Sequence, residues 1–449
     1  MSKKTKSPPK PKIGKKKKSS VRHTRAIGRN RSKRLISIPP AQEIQHHLEK
    51  LLVPAAEAQQ SAYEKAKMRN RVLGLNVMTT LVISMIWQQV GSGPSEMARL
   101  LQLGSVLWLP ALQVSQQAIS LRLACFSSNL FQGMLSSLLV VLHERWQGRQ
   151  RPLPEEVAWV AALYSRVFIV DGSTLDVLIR KTGLLLGLAI PPLAGKMMGM
   201  LDLVSRLPVK IWFNASPTIS DQKFWPNILA ALPKNSLLLF DKGFIDFSKF
   251  VELTLANVFF ITRAKTNLSY QVAVAFVRTA TVHDLLIWVG EGNTRQQLRL
   301  IEVLYKGKWY RYLTNDLDAS RLPWQYVVAV YWQRWRIEDA YAIVKELLGL
   351  SYFWNGGQNG VQLQVWATWM LYGILLDLSD IVAEALWRPL ADISIEMVFR
   401  SLGYFAQACL QGSTTGWIDF LTSHAKLFGL VKRPRKKPAL QLLTAAANP

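Results

Sequence analysis

Three short apolar runs, each halted by polar or turn-forming residues, constrain this fold most. Val167-Phe168-Ile169-Val170 stops at Asp171-Gly172-Ser173, Ser236-Leu237-Leu238-Leu239-Phe240 stops at Asp241-Lys242-Gly243-Phe244, and Asn257 to Thr262 stops at Arg263-Ala264-Lys265. Runs this short, apolar and bounded read as buried strands. Residues 296–314 alternate and carry Lys306-Gly307-Lys308 at their centre, a hairpin signal. A long helical pattern then begins after Pro323 and stops near Gly349, with Pro at the start and Gly at the end. Before the strands, residues 41–150 read as helical, with breaks at Gly91–Pro94 and Pro110. Val114 to Arg122 has the texture of a polar turn entering a helix, compatible with a helix-turn-helix. Pro152 and Pro154 mark a boundary. The expected fold class is therefore α/β: a mixed core interrupted by a β-rich insertion, with helical N-terminal and C-terminal regions.

The charge narrows the partners. The 449 residues hold 55 Lys and Arg against 29 Asp and Glu, a formal +26. Such a balance points to a polyanion, either nucleic acid or an acidic membrane surface. Residues 1–40 contain 15 of the bases and no acid, which leaves a body of +11. That stretch lacks apolar periodicity and reads as a disordered basic tail that neutralises phosphates through counterion release. A smaller basic cluster, Lys432, Arg433, Arg435, Lys436 and Lys437, lies near the C-terminus. Two cysteines exclude a disulfide scaffold and a cysteine-rich zinc module.

Three uncharged stretches, 72–95, 100–121 and 347–376, invite a membrane reading. Each is interrupted by Asn, Gln, Thr or Gly, whereas a span needs about 20 predominantly apolar residues. Buried helices explain them better, and no membrane partner is expected.

Asp171 and Asp241 share a context, each directly following an apolar run. Residues 331–346, YWQRWRIEDAYAIVKE, supply a third acid. On a helix at 100° per residue with Tyr331 at zero, Arg334, Glu338 and Lys345 fall near roughly 300°, 340° and 320°, within one arc of about 60°. Arg334 and Glu338 could form an ordinary i,i+4 ion pair on a solvated face. The apolar and aromatic residues around most of the circumference instead imply a buried helix with one polar stripe. Phosphoryl transfer on DNA uses two divalent ions, one activating the attacking oxygen and one stabilising the leaving oxygen. Mg2+ takes few carboxylates and keeps water and phosphate oxygens in its shell. Two strand-end Asp residues and a helical Glu would suffice, with Arg334 and Lys345 holding the other phosphate oxygens.

Tyr331, Arg334, Glu338 and Lys345 match the Y-(2)-R-(3)-E-(6)-K signature, and with Arg334-Trp335-Arg336-Ile337-Glu338 the chain resembles the IS4 family of DDE transposases, the group that includes the Tn5 transposase. Asp171-Gly172-Ser173 and Asp241-Lys242-Gly243-Phe244 resemble the family's first and second catalytic Asp motifs; Thr262 to Lys265 and Leu313-Thr314-Asn315 also resemble family landmarks. The resemblance covers about 160–380 and extends less clearly to 70–130. Ser173 stands where Thr is common, Gly195 to Met200 lacks a polar residue after its Lys, and the basic tail is not a landmark.

The resemblance implies a ribonuclease-H-like core in two parts, 160–250 and 321–380. A β-rich insertion, 251–320, would separate them. A helical DNA-binding region, 41–150, would precede them and a helical C-terminal region, 381–449, would follow. Asp171, Asp241 and Glu338 would be the catalytic acids and would bind two Mg2+, or Mn2+. Tyr331, Arg334 and Lys345 would grip phosphates, and Arg263 and Lys265 would line the DNA path, unless these two belong to a solvated loop. A Trp such as Trp288 or Trp309 could stack on a flipped base, although structural burial is the more expected role for either. The implied activity is cleavage at the terminal inverted repeats of an insertion sequence, a hairpin intermediate, and attack of the 3′-hydroxyl on target DNA, performed by a homodimeric synapse in the nucleoid-associated cytoplasm. Three rivals stand beside it: a transposase-derived DNA-binding protein without catalysis, a simple nuclease, and a polybasic membrane-associated protein.

Overall fold

The computed structural model describes residues 40–68, 71–89, 93–175, 195–350, 353–354 and 357–433. The basic tail, Asp176, Arg435, Lys436 and Lys437 lie outside the described residues. Among the described residues seven helices precede the first strand: α1 (Gln42–Glu57), α2 (Gln60–Lys65), α3 (Leu75–Trp87), α4 (Pro94–Gln102), α5 (Gln116–Cys125), α6 (Ser128–Gln147) and α7 (Glu155–Leu163). Ser115 caps α5, its hydroxyl accepting from the Ala118 N–H at 3.2 Å. Then come β1 (Arg166–Leu175), β2 (Gly195–Asp202), β3 (Pro208–Asn214), α8 (Trp225–Ala231), β4 (Ser236–Phe240), α9 (Phe247–Leu255) and β5 (Phe259–Arg263). Four antiparallel strands follow, β6 (Gln271–Arg278), β7 (Val282–Val289), β8 (Gln296–Tyr305) and β9 (Lys308–Thr314). The chain closes with α10 (Trp324–Trp332), α11 (Arg336–Ala342), α12 (Gln358–Ala385), α13 (Ile395–Leu410), α14 (Trp417–Ser423) and α15 (Ala425–Phe428).

Among the described residues nine strands form one sheet in the order β3-β2-β1-β4-β5-β9-β8-β7-β6. β1, β4 and β5 are mutually parallel, and the remaining neighbours are antiparallel. Segment 251–320 is therefore not set apart from the core. Its β5 pairs with β4, and β9 pairs with β5 to carry the sheet onward. Its hairpin turns at Lys306 and Gly307, both with positive φ (52° and 71°), as a two-residue hairpin turn requires.

The central strands are apolar on both faces because both are covered. Val167 and Ile169 of β1, with Leu237 and Leu239 of β4, join the larger core made with α10, α11 and α12. Phe168, Val170, Leu238 and Phe240 face the other way, onto Trp225, Ile228, Phe250 and Leu253 of α8 and α9. This period-2 alternation decides which face each strand-borne acid occupies.

Among the described residues one helix, α12, is long and apolar enough to cross a membrane. Almost all of it is packed inside the fold, so the apolar stretch 347–376 contributes a core helix. Asp377 on α12 accepts from His47 of α1 at 2.9 Å and from Arg145 and Arg149 of the α6 segment at 3.1 and 2.6 Å. Burial works against this carboxylate, but His47, Arg149 and Arg145 together hold it well below the usual range. The network ties the N-terminal helices to the core.

Candidate active site

Sheet register places the first two acids. β1 pairs with β4 from Arg166↔Ser236 to Ile169↔Leu239, a constant offset of 70. Two residues further, Asp171 and Asp241 keep that offset. Side chains in register on parallel neighbours leave the same face of the sheet, on strands about 4.8 Å apart. Counting by two from Ile169 and Leu239, both Asp residues face the α10–α11 side. One expectation changes: β1 does not stop at Asp171. It continues to Leu175 because β2 goes on pairing with it, Asp171 opposite Gly199, after β4 has ended at Phe240. Asp171 thus sits where β1 loses one of its neighbours.

The third acid comes from the helical segment, which is not the uniform α-helix that its pattern suggests. α10 gives way to a 3-10 turn at Gln333–Trp335, α11 follows, and Ile343–Leu347 widens into a π turn. The polar stripe survives these changes of pitch. Arg334 is buried, its side chain 8% exposed, and lies between two acids. Its Nη1 donates to Asp171 Oδ2 at 3.0 Å and its Nη2 to Glu338 Oε1 at 3.0 Å. Burial works to lower Arg334, but Tyr331, Asp171, Asp241 and Glu338 outweigh it and hold it raised. Tyr331 is also buried; burial pushes its hydroxyl well above the usual range, with Asp241 adding to the effect and Arg334 and Arg263 opposing it. Lys345, on the π turn, donates to Thr174 O at 2.5 Å and so ties the helix to the far part of β1.

Of the residues expected along a DNA path, Arg263 at the end of β5 lies over the Tyr310 ring at 5.5 Å and close enough to act on Tyr331. Lys265 is exposed and lines a neighbouring cavity of about 920 Å3 together with Tyr270, Trp288 and Arg295. The Arg295 guanidinium stands 5.0 Å from the Trp288 ring. Trp309 instead stacks on His283 at 4.8 Å. Asp202 and Asp246 serve turns and caps: Asp202 accepts from Ser205 N at 2.7 Å, and Asp246 caps α9 through Ser248 N at 3.0 Å.

Sequence reasoning missed Asp221, Lys196 and Tyr341. Asp221 Oδ1 is 2.6 Å from Lys196 Nζ, and a Cβ on Gly172 would come within 2.2 Å of that oxygen. The Asp-Gly dipeptide reads as a turn, but here Gly172 lies inside β1 and admits the Lys196–Asp221 pair next to Asp171. A glycine within a strand signals such close approach. Across the strand, a Cβ on Gly199 would come 2.8 Å from the Tyr341 hydroxyl, which donates to Asp171 O at 2.6 Å.

Asp171 is raised from 3.8 to about 6. Burial is the largest cause; Arg334 and the Gly172 N–H oppose it, and Glu338 and Asp221 add to it. Oxygen donors in a site still short of positive charge suit a hard divalent ion. Among the described residues, however, no three His, Cys, Asp or Glu side chains converge closely enough to hold one. Arg334 bridges Asp171 and Glu338 in that place, one positive charge between two carboxylates.

A carboxyl raised on folding favours the folded state below its unfolded pKa and loses that contribution as pH rises through its folded pKa. Without divalent ions, Asp171→Asn should therefore raise stability at pH 7.5 by on the order of 2 kcal/mol and flatten the decline between about pH 4 and 6. Urea denaturation across that pH range checks both.

The comparisons meet this geometry. Residues 191–374 match the transposase DDE domain. That DDE-domain segment contains Asp241, Tyr331, Arg334, Glu338 and Lys345 and begins after Asp171. The chain is also 28% identical over 156 residues to the Sinorhizobium fredii protein named "Putative transposase y4zB". This similarity spans 32% of the present chain and 43% of that relative's length.

Proposed function

We propose that this protein is a DNA transposase of the IS4 type, acting on the terminal inverted repeats of an insertion sequence. The observation that carries the reading is the register of Asp171 and Asp241 on one sheet face, with Arg334 linking Asp171 to Glu338 of the apposed helix. The transposase DDE domain match over the segment holding Asp241 and Glu338 supports it. So does the mixed core with acids on two neighbouring central strands, which suits a ribonuclease-H-like assignment.

Asp171, Asp241 and Glu338 would hold Mg2+ or Mn2+, which supplies activation of the attacking oxygen and stabilisation of the leaving oxygen. The chain's own groups do the rest. Arg334 bridges two carboxylates, and its fork is equally suited to a phosphate. Exchange of one anion for the other would free the acids as DNA arrives. Tyr331 backs Arg334 from the buried side, Lys345 holds β1 against the helix, and Arg263 extends the cationic wall. Water attack would release a 3′-hydroxyl; a hairpin and transfer into target DNA would follow. Two ends must be joined, so a homodimeric synapse is part of the proposal.

A second reading has one observation in its favour. Arg334 closes the acids together without leaving three of them convergent, as a DNA-binding descendant without catalysis could also do. A strand-transfer assay separates the readings. Given a labelled DNA end from the flanks of its coding region, with a free 3′-hydroxyl and Mg2+, the transposase joins that end to a plasmid. A binding protein retains the end without joining it, and a simple nuclease cuts without joining.

A further inference from the structure

At the opposite end of β1 from Asp171 the chain buries a charge without a counterion. Arg206 lies in the turn between β2 and β3, with φ of 64°, a conformation that side-chain-bearing residues rarely adopt. The residue is only 4% exposed. Among the described residues no carboxylate lies within 4 Å of its guanidinium, its one hydrogen bond is a long one from Nη1 to Leu390 O (3.4 Å), and its Nε has no protein partner. A buried charge is costly unless paired. Arg151, Arg336 and Lys432 stand around Arg206, with Asp380, Asp339 and Asp392 among them.

A cavity of about 20 Å3 has Arg151, Arg206, Gln333 and Arg336 on its polar side, and the rest of its lining is apolar, Leu203 and Leu390 included. Arg336 reaches Asp339 at 3.5 Å, and Arg151 is paired with Asp380 yet keeps an unpartnered buried Nη2. Lys432 is an exposed residue whose ammonium donates to Ala391 O at 3.1 Å. The protein atoms around that ammonium, then Arg206 and Arg336, hold it down to about 8. Nearby, the Tyr372 hydroxyl is fully buried without a protein partner and is acted on by Arg206. The carboxylates of the neighbourhood leave Arg206 itself unpaired.

We infer that this cavity receives an oxyanion of the phosphate class, with Arg206 as its inner ligand and Arg336 and Lys432 at its mouth. The volume admits one oxygen-sized group, so one oxygen enters while the rest of the phosphate stays outside. The same chemistry is presented by a DNA backbone phosphate and by free inorganic phosphate. The inference does not depend on transposase activity, because anion binding can be read without DNA cleavage.

The test uses the full chain. At constant ionic strength, replacing chloride by inorganic phosphate should raise the unfolding temperature of the wild type saturably. Arg206→Met should abolish that phosphate dependence, and Arg336→Met and Lys432→Met should weaken it. If Arg206→Met fails to fold, the two mouth variants decide. DNA binding is measured in parallel as log K against log salt. A slope reduced by about 1 in Arg336→Met marks a DNA phosphate as the occupant. An unchanged slope, with the phosphate dependence of unfolding still weakened in that variant, marks free phosphate, and either result supports the site. Equal phosphate dependence in the wild type and every variant, or none in the wild type, overturns it and leaves a cavity that holds water.

Discussion

Asp241→Asn and Glu338→Gln should each lower cleavage of a DNA end by about 10^3-fold, equivalent to about 4 kcal/mol of transition-state stabilisation, while DNA binding changes little. The reason lies in where these acids stand. Asp241 directly follows β4, held by a strand buried along its whole length, and its side chain caps no helix and closes no turn. Glu338 is 39% exposed as a side chain, and its one side-chain hydrogen bond among the described residues is from Arg334. Both variants are nearly isosteric, so gel-shift affinity and urea denaturation should stay close to wild type while cleavage collapses. Asp171→Asn should lose cleavage too, but with the gain in stability argued above. One position that trades activity for stability in this way is a signature of a site built under electrostatic strain. Parallel loss of folding in all three variants would instead mark the acids as structural.

The largest effect on stability should come from Asp284→Ala, with an expected loss of about 3–5 kcal/mol. Arg299 on β8 is fully enclosed, and Asp284 on β7 is 2% exposed as a side chain. The guanidinium donates to both carboxylate oxygens and, from Nη1, to Leu322 O at 2.6 Å. The pair therefore pins two strands of the antiparallel part of the sheet to the segment that leads into α10. Removing the acid strands a charge that no solvent can reach. Replacing both residues, Asp284→Leu with Arg299→Met, should recover much of the loss, because a well-packed apolar pair avoids the desolvation of two ions. Urea denaturation of the two variants distinguishes an isolated buried charge from a generic packing defect: a packing defect would leave the double variant worse than the single one.

What the chain disclosed in advance followed from local periodicity. Two apolar runs stopped by Asp171 and Asp241, and one helical stripe carrying Arg334 and Glu338, depend on spacing along a single element, and spacing is readable without the fold. The structure places these four side chains in one region. What was not readable depended on neighbours distant in sequence. β1 outlasts its apolar run because β2 supports it. Segment 251–320 merges with the core because β9 finds β5 across an interval of some 50 residues. Asp221 and Lys196 enter beside Asp171 because Gly172 has no Cβ to exclude them. The 3-10 and π turns around Glu338 reflect tertiary packing overriding a sequence that suits a plain α-helix. The cavity at Arg206 is built from four segments distant in sequence, and the motif that one of them carries, around Arg336, says nothing of the other three.

The most direct measurement of the central claim is strand cleavage of the DNA that flanks the coding region, followed with and without a chelator of divalent ions. The account predicts nicks at the ends of that DNA that expose a 3′-hydroxyl, appear with Mg2+ or Mn2+, vanish on chelation, and are absent in Asp241→Asn. Cleavage that persists under chelation, or that Asp241→Asn performs at the wild-type rate, would contradict it.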